Sequence, residues 1–155
     1  MLKVILYTTL FLIIFSANAI SQVGFEHLGF NQALLKAKEN NKNMFVYFYT
    51  DWCAPCKQLD TIVFADPKIR KLLNDNYISL KLNAEKGEGL ELNKKYNSDG
   101  YPTFVFIDST GKLLGEINGT RSNEGYFTAI KSQGRDDPEG KELKALRKKS
   151  PKSKK

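Results

Sequence analysis

The feature that most constrains this chain is a run of seven residues, Met44 to Thr50 (MFVYFYT), that leads directly into Asp51-Trp52-Cys53-Ala54-Pro55-Cys56-Lys57. The run is aromatic and β-branched and apolar on both faces. A strand of that kind belongs in the middle of a sheet covered on both sides. The chain must then turn at Asp51-Trp52, and the stretch from Cys53 to Phe64 has helical character. The two cysteines are the only ones in 155 residues. A disulfide scaffold needs more pairs closing longer loops. A structural zinc site needs about four ligands, and the single histidine, His27, is remote in sequence.

Around this centre the pattern alternates. Asn31 to Asn41 reads as a helix capped by Asn31, with Ala33, Leu34 and Ala37 on its apolar face. Asp66-Pro67, a cap followed by proline at the first position, opens a helix running to about Asn74. Tyr77 to Leu82 alternates and reads as a strand, and Gly87 to Tyr96 is a polar helix. Asn97 to Gly100 is a turn. Thr103 to Asp108 and Lys112 to Ile117 form a hairpin about Ser109 to Lys112. Ser122 to Ser132 is a closing helix with Tyr126, Phe127 and Ile130 inward. Strands alternating with helices imply parallel pairing, and the final hairpin adds antiparallel strands. The fold class expected is α/β.

The ends differ from the body. Lys3, the apolar run Val4 to Phe15 and the A-x-A site Ala17-Asn18-Ala19 form the three parts of a secretory signal peptide cleaved after Ala19. A retained membrane anchor and a buried helix are the alternatives. Export places the cysteines in an oxidising compartment. Residues 135–155 carry nine Lys/Arg against four Asp/Glu, so most of the net charge of +7 lies in a tail and not in the domain expected at 20–134. Such tails are solvated and disordered, with docking to an anionic envelope surface as the functional alternative. Nucleic acid is not an expected partner of an exported chain.

A thiolate is the nucleophile in disulfide exchange, and a helix N-terminus favours it through unpaired N–H groups and the helix dipole. Cys53 stands where such a helix begins, and two intervening residues bring Cys56 onto the same face. Cys53 is therefore the expected attacking thiol and Cys56, more buried, the resolving one. Pro55 stiffens the first turn, and Trp52 offers a flat apolar surface beside the thiol. A purely structural disulfide is the competing reading, but so short a loop restricts the unfolded chain little. Half of a zinc site shared between chains is a second alternative.

At these residues the chain resembles the thioredoxin superfamily, through W-C-A-P-C-K at Trp52 to Lys57 and Tyr101-Pro102-Thr103 ahead of the hairpin. The resemblance spans roughly Asn31 to Ser132. It implies a three-layer α/β/α sandwich around a central mixed sheet of about four strands with a C-terminal antiparallel hairpin. It implies that Pro102 is cis and packs beside the cysteines, with the Tyr101 backbone pairing with an extended substrate. Thr50 to Cys53 and Phe64 to Pro67 are similar to exported thioredoxin-like proteins and to the C-terminal domain of the transmembrane thiol:disulfide interchange protein, which are mostly reductants or relays. Typical members carry a buried aspartate six residues before the first cysteine. Here that residue is Tyr47, and a phenol with an ordinary pKa near ~10 is a poor base at neutral pH. Lys57 either helps orient water or stabilise a thiolate, or is simply solvated.

The resulting expectation is a periplasmic protein disulfide reductase, monomeric, fed electrons by a membrane donor. Its only redox group is the Cys53–Cys56 disulfide, with no added cofactor and no metal. An oxidase or isomerase of the same fold, and a binding module with a structural disulfide, are the alternatives. His27 reads as a surface or packing residue, Asp51 as a solvated turn carboxylate, and Asn118-Gly119-Thr120 as a turn that matches a glycosylation acceptor.

Overall fold

The computed structural model describes residues 22–96 and 100–133. The expected signal segment, the basic tail and most of the turn at 97–99 lie outside the described residues. In chain order the elements are α1 (Phe30–Glu39), β1 (Asn43–Tyr49), α2 (Ala54–Gln58), a π-helical segment (Leu59–Val63), α3 (Pro67–Asn76), β2 (Tyr77–Asn83), α4 (Gly87–Tyr96), β3 (Thr103–Ile107), β4 (Leu113–Asn118) and α5 (Asn123–Gln133). The sheet order is β2-β1-β3-β4. β1 runs parallel to β2 and antiparallel to β3, and β3 pairs antiparallel with β4. The fold is thus a mixed four-stranded sheet between helical layers, as expected.

β1 is the hub. Successive strand residues point to opposite faces, and the two faces collect different partners. Phe45 and Tyr47 face a layer that includes Leu59, Phe64, Ile69, Leu73, Phe104 and Tyr126. Met44, Val46 and Phe48 face Phe30, Ala33, Ala37, Ile78, Leu80 and Leu92. The first face is aromatic: Phe64 and Phe104 lie 5.3 Å from Tyr47, ring centroid to centroid. All of Met44 to Phe48 is 0% exposed, so each of these side chains contributes about 1.5–3 kcal/mol by burial.

One local expectation needs correction, and two elements gain detail. α1 begins at Phe30 with Gly29 at the cap position, not Asn31. The orphan N–H of Phe30 is satisfied from a distance, by both carboxylate oxygens of Glu88 on α4 at 2.9 and 3.0 Å. β2 forms as expected, and Tyr77 to Leu80 are all buried because helices cover both sheet faces. Tyr77 also donates its hydroxyl to the Ile130 carbonyl on α5 at 3.2 Å. The helix after Cys53 is also not uniform. Beyond Gln58 it widens into a π turn, with Phe64 N–H bonding to Leu59 O at 2.9 Å.

Asp66 caps α3 by accepting from Lys68 N–H at 2.8 Å, with Pro67 at the first position. α4 crosses the end of β2 so closely that a Cβ on Gly89 would lie 2.1 Å from the Asn83 carbonyl oxygen. Gly111, at φ +91°, closes the β3–β4 hairpin, and Asp108 accepts there from Thr110 and Lys112 N–H groups.

Candidate active site

The end of β1 delivers the site. Cys53 N–H bonds back to the Thr50 carbonyl at 3.2 Å, which closes the turn. Cys53 is then the N-cap of α2, with Pro55 in the first helical turn. Its Sγ accepts the Cys56 N–H at 3.2 Å. That donor is one of the helix's orphan N–H groups, and it lends positive charge where a thiolate on Cys53 needs it. Cys53 and Cys56 form a disulfide, with Cα atoms 5.3 Å apart. The expected difference in burial is absent: both residues are 2% exposed. What differs is the surroundings.

On one side stand Trp52, Tyr101 and Pro102. The Tyr101–Pro102 bond is cis, as the resemblance implies. Phe48 is paired with Thr103 across the β1–β3 ladder, so Pro102 comes level with the start of the cysteine loop. Pro102 is buried and Tyr101 half-buried. Trp52 is 67% exposed, yet it is held. Its indole N–H donates to Glu85 at 2.9 Å, and its ring meets that of Tyr101 edge-on at 5.9 Å. Tyr101 hydroxyl in turn accepts from Asn93 at 3.0 Å. Asp51 pairs with Lys86 and accepts from Asn83. The hydrogen bond from Lys86 holds the Asp51 carboxyl below the usual carboxylate range, so the turn carboxylate is tied down and not merely solvated.

On the other side stands Tyr47. It is fully buried and donates its hydroxyl to the Cys56 carbonyl at 3.1 Å. Burial, helped by the nearby Asp60 charge, pushes its phenol well above the ordinary value. Tyr47 is therefore a structural donor that stays neutral. A cleft of about 130 Å³ opens here, with Tyr47, Thr50, Cys56, Asp60 and Lys81 among its walls and Lys57, exposed, also lining it. Lys81 pairs with Asp60 at 2.7 Å and lies over the rings of Tyr47 and Tyr49 at 5.6 and 5.0 Å. His27 is exposed.

Thr50, Asp60, Lys81 and Glu85 are the site neighbours that the pattern reading passes over. Asp60 could have been found, because it sits four residues after Cys56 and so on the same helical flank. Lys81 and Glu85 carry no local signal; β1–β2 pairing brings them in, with Tyr47 opposite Lys81.

The site's geometry has counterparts. A model of a thioredoxin-like domain matches residues 30–134. The thiol:disulfide interchange protein DsbD of Yersinia pestis is 35% identical over 101 residues, which cover 63% of this chain and 17% of that protein. DsbD of Escherichia coli K12 is 35% identical over 83 residues, covering 53% and 14%. The chain thus spans less than a fifth of these relatives' length. Among solved structures, a Bacteroides thetaiotaomicron protein provisionally assigned as a disulphide-isomerase superposes with a TM-score of 0.67 at 35% identity. That match covers 75% of this chain and 96% of that one. A Thermus thermophilus thioredoxin gives 0.60 at 28% identity, covering 66% and 81%.

Proposed function

The chain belongs to the thioredoxin-like domain family, whose thiol–disulfide oxidoreductases work through a C-x-x-C pair, and from that premise we propose that it is an exported reductase of protein disulfides. The observation that carries this is the Cys53–Cys56 disulfide itself, at a helix start whose N–H points at Cys53 Sγ, beside Trp52, Tyr101 and cis-Pro102. In the dithiol form the Cys53 thiolate attacks one sulfur of a substrate disulfide. A Cys53–substrate bond forms and the other substrate sulfur leaves as a thiolate. Cys56 then attacks Cys53 Sγ, re-forming the Cys53–Cys56 disulfide and releasing the second substrate thiol. Two electrons pass from the pair to the substrate, and a dithiol donor on the membrane restores them.

Trp52 and Tyr101 supply the apolar wall against which an extended substrate lies, and Pro102 shapes its end. Pro55 stiffens the helix start. The reaction needs no group beyond the cysteines. Residues 1–19 serve as the export signal, placing the protein in the periplasm, where it acts as a monomer and its basic tail meets anionic surfaces. Insulin reduction by the wild type and its loss in Cys53→Ser test the reading; a wild type inert toward every disulfide overturns it.

A second reading, isomerase or oxidase, is favoured by the likeness to the Bacteroides protein. The reduction potential separates them. A value near about −120 mV marks a strong oxidant, and one near about −270 mV a reductant.

A further inference from the structure

Pro102 has no N–H, and its carbonyl accepts from the Gly119 N–H at 3.0 Å. Its one strong backbone group is thus engaged within the protein. Among the described residues none bonds to the backbone N–H or carbonyl of Tyr101, so the main-chain groups left for a substrate at this wall are those of Tyr101. The loop is held from behind. Gly119 stands just beyond β4 at φ +73°, a conformation that glycine adopts without a steric penalty. Its carbonyl accepts from the Tyr126 hydroxyl of α5 at 2.9 Å. Tyr126 is 1% exposed and its ring lies 5.2 Å from that of Phe104, so this support is anchored in the core. A second support comes from β4. Asn118 lies opposite Thr103 in the β3–β4 ladder. The buried Thr103 hydroxyl donates between two acceptors, the Gly100 carbonyl at 2.7 Å and Asn118 Oδ1 at 2.9 Å. The Asn118 amide N–H donates to Glu116 at 3.1 Å, which keeps Oδ1 turned toward Thr103.

We propose that Asn118 and Tyr126 are positioning residues for the substrate: they brace the loop 100–102 from β4 and from α5, so that an extended protein disulfide meets a wall already in place. The inference rests on the reading of the chain as acting on protein disulfides. A loop that its ligand must first order gives up that entropy from the binding free energy. Loosening the brace therefore weakens the binding of an extended substrate and leaves the reaction at Cys53 as it was. A small disulfide that meets only the Cys53 sulfur does not sense the loop. Neither Asn118 nor Tyr126 touches the reacting sulfurs; both act through Gly119, Thr103 and Pro102.

The test presents the reduced protein with two disulfides. One is a pair of extended peptides joined by a single disulfide, with a fluorophore on one peptide and a quencher on the other. The second is the small chromogenic disulfide dithionitrobenzoate. Asn118→Ala and Tyr126→Phe should each raise the half-saturating concentration of the peptide disulfide about three- to tenfold. The limiting rate, and the rate with dithionitrobenzoate, should each change less than about twofold. Thr103→Val, which keeps the shape and removes the shared hydroxyl, should match Asn118→Ala, and Thr103→Ser should stay near the wild type. Hydrogen exchange reads the brace without a substrate: the Gly119 amide should exchange severalfold faster in both Asn118→Ala and Tyr126→Phe. An unchanged half-saturating concentration in either variant, or an equal loss of rate with dithionitrobenzoate, overturns the proposal. A wild type that reduces dithionitrobenzoate but not the peptide disulfide refutes the protein-disulfide reading, and the brace then stands or falls on the exchange of the Gly119 amide.

Discussion

On the outer side of the disulfide the walls are Trp52, Tyr101 and Pro102, carried on loops and in part exposed; on the inner side they are Tyr47, Thr50, Asp60 and Lys81, carried on β1 and its end, on β2 and on the helical segment after Cys56. The first group is tied by a few peripheral hydrogen bonds, Trp52 to Glu85 and Asn93 to Tyr101. In the second, Tyr47 is embedded in the aromatic core around Phe45, Phe64 and Phe104, and Asp60 and Lys81 pair at its rim. The difference is one of exposure: the outer wall leaves aromatic surface beside Cys53 open to solvent, and the inner wall fixes the backbone at Cys56 through the Tyr47 hydroxyl.

Substitutions can break that division in a graded way. The largest effect belongs to the bond between the two sides. Cys56→Ser should leave Cys53 free to attack but stop resolution, so steady-state reduction falls by about a thousandfold or more and mixed disulfides accumulate on non-reducing gels. Next comes the interior frame. Phe64→Ala removes a buried ring that touches Phe45, Tyr47 and Phe104 and should cost about 3–5 kcal/mol in denaturant unfolding. On the outer side, Trp52→Ala should raise KM for a protein disulfide by about tenfold while the melting temperature hardly moves, since an exposed ring contributes to binding more than to folding. Reduction of a small aromatic disulfide serves as the control. If kcat falls instead, Trp52 does more than bind.

The smallest effect sharpens the role of Tyr47. Tyr47→Phe deletes the donor to the Cys56 carbonyl and should cost about 1–2 kcal/mol with both thiol steps intact. The same phenol predicts a pH effect. Tyr47, Tyr77 and Tyr126 are all held neutral by burial, so each ionises at higher pH folded than unfolded. Their contribution is fully present below the ordinary phenol pKa near ~10 and is lost as pH rises above it, because the native state then binds more protons than the unfolded one. Phenolate absorbance and loss of circular dichroism should appear together. Phenolate signals from all three in an intact fold would contradict this.

Much of this was legible in the pattern. The MFVYFYT run, the Asp66-Pro67 cap and the C-x-x-C pair each act through neighbours within a few residues, and the structure has them as expected. The failures share a cause. Asn31 looked like the cap of α1 because Asn caps locally, but Glu88, 58 residues from Phe30, supplies the acceptor. The π turn at Leu59 to Val63 has no period of its own in the sequence.

By itself, then, the chain's order of residues determined the alternation of strands and helices, which strand is central, and that two thiols share one helix start. These follow from backbone sterics and side-chain periodicity, which are local. Only the folded structure decided what lies on each side of those thiols. The cis bond before Pro102, the Glu85 contact that holds Trp52, and the Asp60–Lys81 pair over Tyr47 join residues 20 or more positions from their partners or set by packing alone. Such contacts depend on strand register and on which faces meet, quantities that no local stretch of sequence contains.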